Sequence, residues 1–359
     1  MIARLLSHDL PRNRWLALAL ALIAIGLALA PLWLPGSKSL GVAAKVLVFI
    51  LLVASYDLLL GYTGIVSFAH TMFFGIGAYG VAIASSKLGA GFGPVALGTA
   101  LALFASLVLS LVIGLFSLRV KAIFFAMITL AVAAAFQTLA SQLSEFTGGE
   151  DGLTFRNPEI LSPSFEFSLA GVALDGRHLT YWLLFIVVLA LFLGTLRVVN
   201  SPFGRVLQAI RENDFRAEAI GFRVVIYRTL SNVLAALLAT VAGALLALWL
   251  RYTGPDTTLS FEIMLDVLLI VVIGGMGTLY GAVVGSVLFV LAQNYLQDLL
   301  RLAGGAVEGV PGIGWLAAVL TPDRWLLWLG LLFVLSVYHF PTGIVGRLRA
   351  MTLARRIDR

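Results

Sequence analysis

Ser67 and His70 stand three positions apart in an otherwise apolar run, so a helix there would carry both on one face. A hydroxyl beside an imidazole can contact a polar solute or line its pathway, and inside a membrane either group is costly unless it is bonded. The plain reading of His70 is a bond to a neighbouring backbone carbonyl; the functional reading is contact with a solute. Asp57, near the end of the preceding apolar run, reads as an interfacial carboxylate that caps a backbone or pairs with a basic residue. Glu262 and Asp266, four apart, read as a solvated or arginine-paired face with Arg251 as the candidate partner, the alternative being a lining for polar solute, and Gln293, Asn294, Gln297 and Asp298 read as a helix leaving the bilayer.

Other chemistry is poorly supplied. No cysteine is present, which excludes disulfides, thiolate metal sites and cysteine nucleophiles. Glu150 and Asp151 lie between Gly148-Gly149 and Gly152, but two adjacent carboxylates fall short of the ligand set of a calcium loop. No nucleophile, base and oxyanion donor gather in a recognisable pattern, so no catalytic residue and no metal site are assigned. Gly75-Ile76-Gly77-Ala78-Tyr79-Gly80 matches the dinucleotide fingerprint literally. It lacks the preceding strand and the acidic residue about 20 positions on, so the match is accidental. A phosphate loop of the form G-x-x-x-x-G-K-[ST] is absent, and Gly36-Ser37-Lys38-Ser39 lacks its spacing.

The elements that must position these residues are membrane spans. The chain is 60% hydrophobic and only 12% charged, with mean hydropathy +1.02, against roughly 25% charged in an ordinary soluble domain. Its net charge of +6 comes from clusters beside apolar spans, not from a basic stripe interleaved with aromatics, so nucleic acid is not the expected partner. An all-α polytopic membrane protein is expected. Ten apolar runs have the length of a span: 15–34, 42–60, 65–86, 94–117, 122–143, 180–199, 229–250, 261–275, 277–300 and 324–341. The first is preceded by Arg12 and Arg14 and contains Ala28-Leu29-Ala30, as a signal peptide would, but its length and Pro31 favour a retained helix.

With a cytoplasmic N-terminus, the inside segments hold sixteen of the 24 basic residues, including Arg119, Lys121, Arg205, Arg211, Arg216, Arg223 and Arg228. That bias puts both termini in the cytoplasm and makes 144–179 the longest external loop. The segment 200–228 then lies inside. Ser201-Pro202 can cap and start a short helix with Val206, Leu207 and Ile210 on one face, Asp214 can cap a second from Phe215 to Ile220, and Gly221 can end it. Glycine spacing speaks to packing: Gly277, Gly281 and Gly285 recur every fourth residue, Gly75 and Gly77 keep the third span thin, Gly61 and Gly64 form a turn before that span, and Gly274-Gly275 forms another.

Five strings carry a family resemblance: Gly61-Tyr62-Thr63-Gly64-Ile65-Val66-Ser67-Phe68-Ala69-His70; Phe74 to Tyr79; Gly148 to Thr154; Ser201 to Arg205 with Arg211-Glu212-Asn213; and Val272 to Thr278. Together, over about residues 40–348, they resemble the permeases of high-affinity branched-chain amino acid ABC importers, the LivM-type subunit more closely. Relatives of that family carry urea or small aromatic and other carboxylates. The resemblance implies a type II fold like that of the vitamin B12-importer permease, with one transmembrane permease domain over 1–348 and a basic cytoplasmic tail, 349–359. It implies a bacterial inner-membrane location, two ABC ATPase subunits holding the ATP and Mg, a second LivH-type permease and a periplasmic solute-binding protein. No cofactor is implied in this chain. Coupling to the ATPases would fall to Glu212, Asp214, Ala217, Glu218 and Gly221; Ala217-Glu218-Ala219-Ile220-Gly221 resembles the Glu-Ala-Ala motif of importer permeases with an early glycine. Ser67, His70 and Tyr79 are the implied pathway lining. The contrasting class is an ion-coupled secondary transporter or channel, which would show a broken helix with a polar centre or several buried carboxylates.

Overall fold

Apolar runs become helices here because a backbone in hydrocarbon has only its own carbonyls to bond. The computed structural model describes residues 13–33, 36–117, 122–169, 172–308 and 320–348; Arg4, Arg12, Arg119, Lys121 and the tail 349–359 lie outside the described residues. In chain order the longer helices are α1 (Arg14–Trp33), α2 (Ser37–Thr63), α3 (His70–Leu88), α4 (Phe92–Ser117), α5 (Ala122–Gln142) and α6 (Gly176–Asn200). They continue with α7 (Pro202–Glu212), α8 (Asp214–Ala219), α9 (Val224–Leu250), α10 (Phe261–Gly274), α11 (Leu279–Glu308) and α12 (Trp325–His339). Nine stretches among the described residues are long and apolar enough to cross a membrane. The tenth expected span, α3, is diluted by glycines and hydroxyls and is buried along most of its length.

The bundle is built around α2, which is buried almost throughout and touches α6, α9, α10 and α11. Outer helices present apolar side chains to the surroundings, among them Leu22 on α1, Phe104 on α4, Met127 on α5 and Leu326 on α12. Lipid is as apolar as these side chains, so close backbone approach and interhelical hydrogen bonds must supply the packing inside. At the crossing of α3 and α9, a side chain at Gly77 would collide with the Thr240 carbonyl and one at Gly243 with the Phe74 carbonyl. Gly75 gives room to Leu259 in the same way. Polar links reinforce α9: Thr240 donates to Ser106 Oγ at 2.6 Å, and Asn232 Nδ2 to the Ser110 carbonyl at 2.9 Å. On α11, a Cβ at Gly281 or Gly285 would stand 2.7 Å from the Gly274 carbonyl or 2.6 Å from the Ile270 carbonyl, so α10 and α11 also meet backbone to backbone. Gly277 departs from the expected stripe: it lies in the turn before α11, with φ 78°.

The expected third span, 65–86, begins differently. Gly61 belongs to α2, the turn is made at Gly64 with φ 72°, and residues 64–69 are not helical. His70, the first residue of α3, bonds Ser55, eight residues before the end of α2. At 1.5 Å per residue the connection therefore climbs back about 12 Å along α2 before helix resumes. Its buried backbone needs partners, and Thr129 Oγ1 on α5 accepts from the Phe68 N–H at 3.0 Å. Ser67 consequently does not share a helix face with His70.

The segment 144–179 is more ordered than a loop. It contains a helical turn Ser144–Thr147, a strand β1 (Leu153–Thr154) and a hairpin of β2 (Glu166–Leu169) with β3 (Val172–Asp175). β1 pairs with β4 (Tyr252–Thr253), tying the end of α9 to the stretch after α5. Asp175 then caps α6, its carboxylate accepting from the N–H groups of Arg177 and His178 at 3.1 and 3.2 Å.

Pro31 is helical within α1 and cannot donate to the Leu27 carbonyl one turn back. The Tyr181 hydroxyl of α6 supplies the missing donor at 2.7 Å, and Trp182 Nε1 reaches the next carbonyl, Ala28, at 3.2 Å. Tyr181→Phe should therefore lower stability by about 1–2 kcal/mol, the cost of stranding that carbonyl. Pro31→Ala should remove most of the loss, because a restored N–H at position 31 would take the same carbonyl. Thermal unfolding of the two single variants and the double variant in detergent measures the coupling; additive losses would show that the bond does not serve this purpose.

Candidate functional site

Between α6 and α9 the chain makes a compact two-helix segment at one end of the bundle. Ser201 is extended and Pro202 opens α7, as the spacing predicts, but the Ser201 hydroxyl donates backward to the Val198 carbonyl at 2.6 Å and does not cap α7. Leu207 and Ile210 are buried, with Val206 half-buried on the same face. Phe203 stacks on Tyr227 at 5.7 Å. The cap of α8 is Asn213, whose side chain accepts from the Arg216 N–H at 2.9 Å; the expected cap, Asp214, is the first helical residue and faces Arg228 at 3.4 Å. Asn213 wins because it alone has extended backbone there. Gly221, φ 98°, ends α8, and the Phe222 N–H returns to the Ala217 carbonyl at 3.1 Å.

This places the five expected coupling residues in two groups. Glu212, Asp214, Glu218 and Gly221 are exposed, whereas Ala217 is buried against Ile210 and Val224 and supports α8 from beneath. Two further residues stand out that charge and spacing did not single out: Phe215 is 78% exposed and Ile220 is 73% exposed. Large apolar side chains on and just after a short, charged helix are the signal that could have found them.

The segment is clamped to the bundle through backbones. Arg211, near the end of α7, donates from its guanidinium to the Gly61 carbonyl in the last turn of α2, a group with no partner inside its own helix. One turn earlier on α2, the Asp57 carboxylate accepts from the Gly277 N–H at 2.8 Å, which fixes the turn between α10 and α11. A side chain at Gly61 would strike both the Asp57 carboxylate and the Gly277 nitrogen, so glycine is what lets the α10–α11 turn approach α2 this closely. The capping reading of Asp57 therefore holds, with a backbone N–H as the partner.

Ser67, His70 and Tyr79 are not brought together. All three are buried. His70 Nε2 lies 2.7 Å from Ser55 Oγ, which donates onward to the Leu52 carbonyl at 2.6 Å, and Tyr56 packs edge-on at 5.2 Å between ring centres. Tyr79 packs with Leu259 and Ala140. At the end of the bundle remote from α7, polar groups link α2, α10 and α11. Lys38 pairs with Asp298 at 3.0 Å, Lys45 donates to Gln293 Oε1 at 2.9 Å, and Gln293 Nε2 donates to Asp266 at 3.2 Å. The partner of Asp266 is thus Gln293 and not Arg251, and α11 continues helically past these residues to Glu308.

The described residues form a mainly helical bundle with nine membrane-length apolar stretches, close backbone crossings and a clamped helical segment at one end. Residues 39–337 match the model of the family described as branched-chain amino acid transport system, permease component, and the chain belongs to that family. It is 26% identical over 276 residues to the high-affinity branched-chain amino acid transport system permease protein LivM of Salmonella typhimurium, covering 72% of this chain and 64% of that one. Identity to LivM of Escherichia coli is 25% over 299 residues, 78% of this chain and 68% of the relative. BraD of Pseudomonas aeruginosa is 27% identical over 311 residues, 83% of this chain and 92% of the relative. The chain therefore spans 64% and 68% of the length of the two LivM proteins. No solved structure matches it at a significant level.

Removing the clamp has a local consequence. Arg211→Ala should cost about 2 kcal/mol, as expected for a charge-assisted bond to a carbonyl otherwise left without a donor. Hydrogen exchange across 203–219 should quicken while that of α9 stays unchanged. Unaltered exchange would mean that Leu207 and Ile210 hold α7 unaided.

Proposed function

We propose that this chain is one permease half of an ATP-driven ABC importer for branched-chain amino acids or a related small solute. Two ABC ATPases, a second LivH-type permease and a periplasmic solute-binding protein complete the machine, with ATP and Mg held on the ATPases. The bilayer is then a bacterial inner membrane, with both termini in the cytoplasm. The observation that carries this reading is the clamped segment. Phe215 on α8 and Ile220 just after its last residue are exposed, with Glu212, Asp214, Glu218 and Gly221 around them, while Arg211 ties the same segment to α2. A docking partner would bury the two apolar side chains in a groove and meet the polar rim.

Movement of the ATPases would carry α7 and α8 as a unit, because Leu207, Ile210 and Ala217 seat them together. The Arg211 and Asp57 contacts then pass the displacement to α2 and to the α10–α11 turn, and the two permeases rock so that the pathway between them opens to the other side. Ser67, His70 and Tyr79, buried in the described conformation, serve as lining exposed on opening. Fold kinship with the vitamin B12-importer permease belongs to the same proposal.

Phe215→Ala with Ile220→Ala should weaken retention of the ATPase by about 30-fold, the loss expected for a pair of interface anchors worth about 2 kcal/mol, with membrane insertion intact. Substitutions at Glu218 or Gly221 should separate ATP hydrolysis from uptake. Co-purification and coupled uptake in proteoliposomes measure both. Solute movement down an ion gradient by the chain alone, without ATP, would instead place it among secondary transporters or channels.

A further inference from the structure

Lys45 lies eight residues inside α2, about 12 Å from its first turn at 1.5 Å per residue, at the end of the bundle opposite α7. Asp266 on α10 carries the opposite charge, and Gln293 of α11 stands between the two: the ammonium binds the amide oxygen and the carboxylate binds the amide nitrogen. No direct hydrogen bond or ion pair joins Lys45 to Asp266 among the described residues. All three side chains are only partly buried, and Glu262, one turn from Asp266 on α10, is exposed. Nearer the helix ends, the exposed Lys38–Asp298 pair continues the polar track outward. A weld between helices would be served better by direct contact of the charges or by apolar packing, since separated charges at depth keep their desolvation cost without the full attraction.

We propose that Lys45, Gln293 and Asp266 form a subsite for a zwitterionic α-amino acid on the entry side of the pathway. This rests on the importer reading given above. The solute carboxylate would meet Lys45 and its ammonium would meet Asp266, each exchanging one bond to Gln293 for one to the solute. Because the groups are already satisfied by the amide, the exchange gains little net free energy, and the solute is passed on instead of trapped. An apolar wall is at hand: the Phe49 ring lies 5.5 Å from the Lys45 ammonium.

The test uses the full chain, which has no cysteine of its own. A side chain at Gly41, one turn outward from Lys45, would meet nothing within 4 Å, so Gly41→Cys places a thiol at the subsite without distortion. In membrane vesicles carrying the assembled complex, millimolar leucine should slow labelling of that thiol by a water-soluble maleimide several-fold. Neither 4-methylpentanoate, which lacks the ammonium, nor 3-methylbutylamine, which lacks the carboxylate, should do so. Protection should vanish when Lys45→Gln and Asp266→Asn are added, a pair that keeps the amide bonds and removes both charges. Without the thiol, that double variant should hydrolyse ATP normally yet take up leucine at least tenfold more slowly. An unreactive thiol, equal protection by the single-charge analogues, or protection that survives charge removal would overturn the subsite. Labelling needs no ATP: absence of leucine protection in the Gly41→Cys protein with both charges in place, beside intact ATP-driven uptake, sinks this proposal alone, and protection without any ATP dependence of uptake sinks the importer reading and keeps the subsite.

Discussion

Where Gly77 meets the Thr240 carbonyl and Gly243 meets the Phe74 carbonyl, α3 and α9 touch with no side chain between them. In lipid no hydrophobic gradient draws helices together, so this contact is among the strongest available determinants of where α3 lies. The rest follows from that position. With α3 held high against α9, residues 64–69 must climb back along α2, and His70 arrives beside Ser55. The turn that starts the climb leaves the Gly61 carbonyl of α2 open to Arg211 at the bundle's end, where the α10–α11 turn also reaches the Asp57 carboxylate.

The two ends of α2 therefore have different characters. At one, Asp57, Gly61, Gly277 and Arg211 form a short-range lock in which every partner is backbone or reaches backbone, so it cannot shift without breaking. At the other, Lys45, Gln293 and Asp266 are side chains that can change partners while α2, α10 and α11 stay in place. In the proposed importer this division suits one helix to two tasks: a stiff connection to the ATPase side and an adaptable surface toward the solute.

Much of this was legible from apolar length. α1, α4, α5, α6 and α9 follow the expected runs because a span must be about 20 residues of apolar helix. α2 is longer than its run, beginning at Ser37 and not near 42, where Lys38 finds a partner on α11 that local sequence cannot display. Three-residue spacing placed Ser67 and His70 on one face, and only the bonds to Ser55 and Thr129 show why the chain is extended there. The helix starts at 202 and near 214 were readable from Pro202 and the Asn213-Asp214 pair, but which of the two caps depends on backbone angles. Phe215 and Ile220 were passed over because hydrophobic residues near a membrane look ordinary until their exposure is known.

The climbing segment also bears on how the protein is made. α3 is the span least able to enter lipid by its own apolarity, its first residue depends on α2, and the segment before it bonds α5. Its main packing partner, α9, is synthesised only after α4, α5 and α6 have been inserted. During translation α3 must therefore wait, incompletely packed, for a helix that does not yet exist, and the order of assembly in the membrane cannot be the order of the sequence.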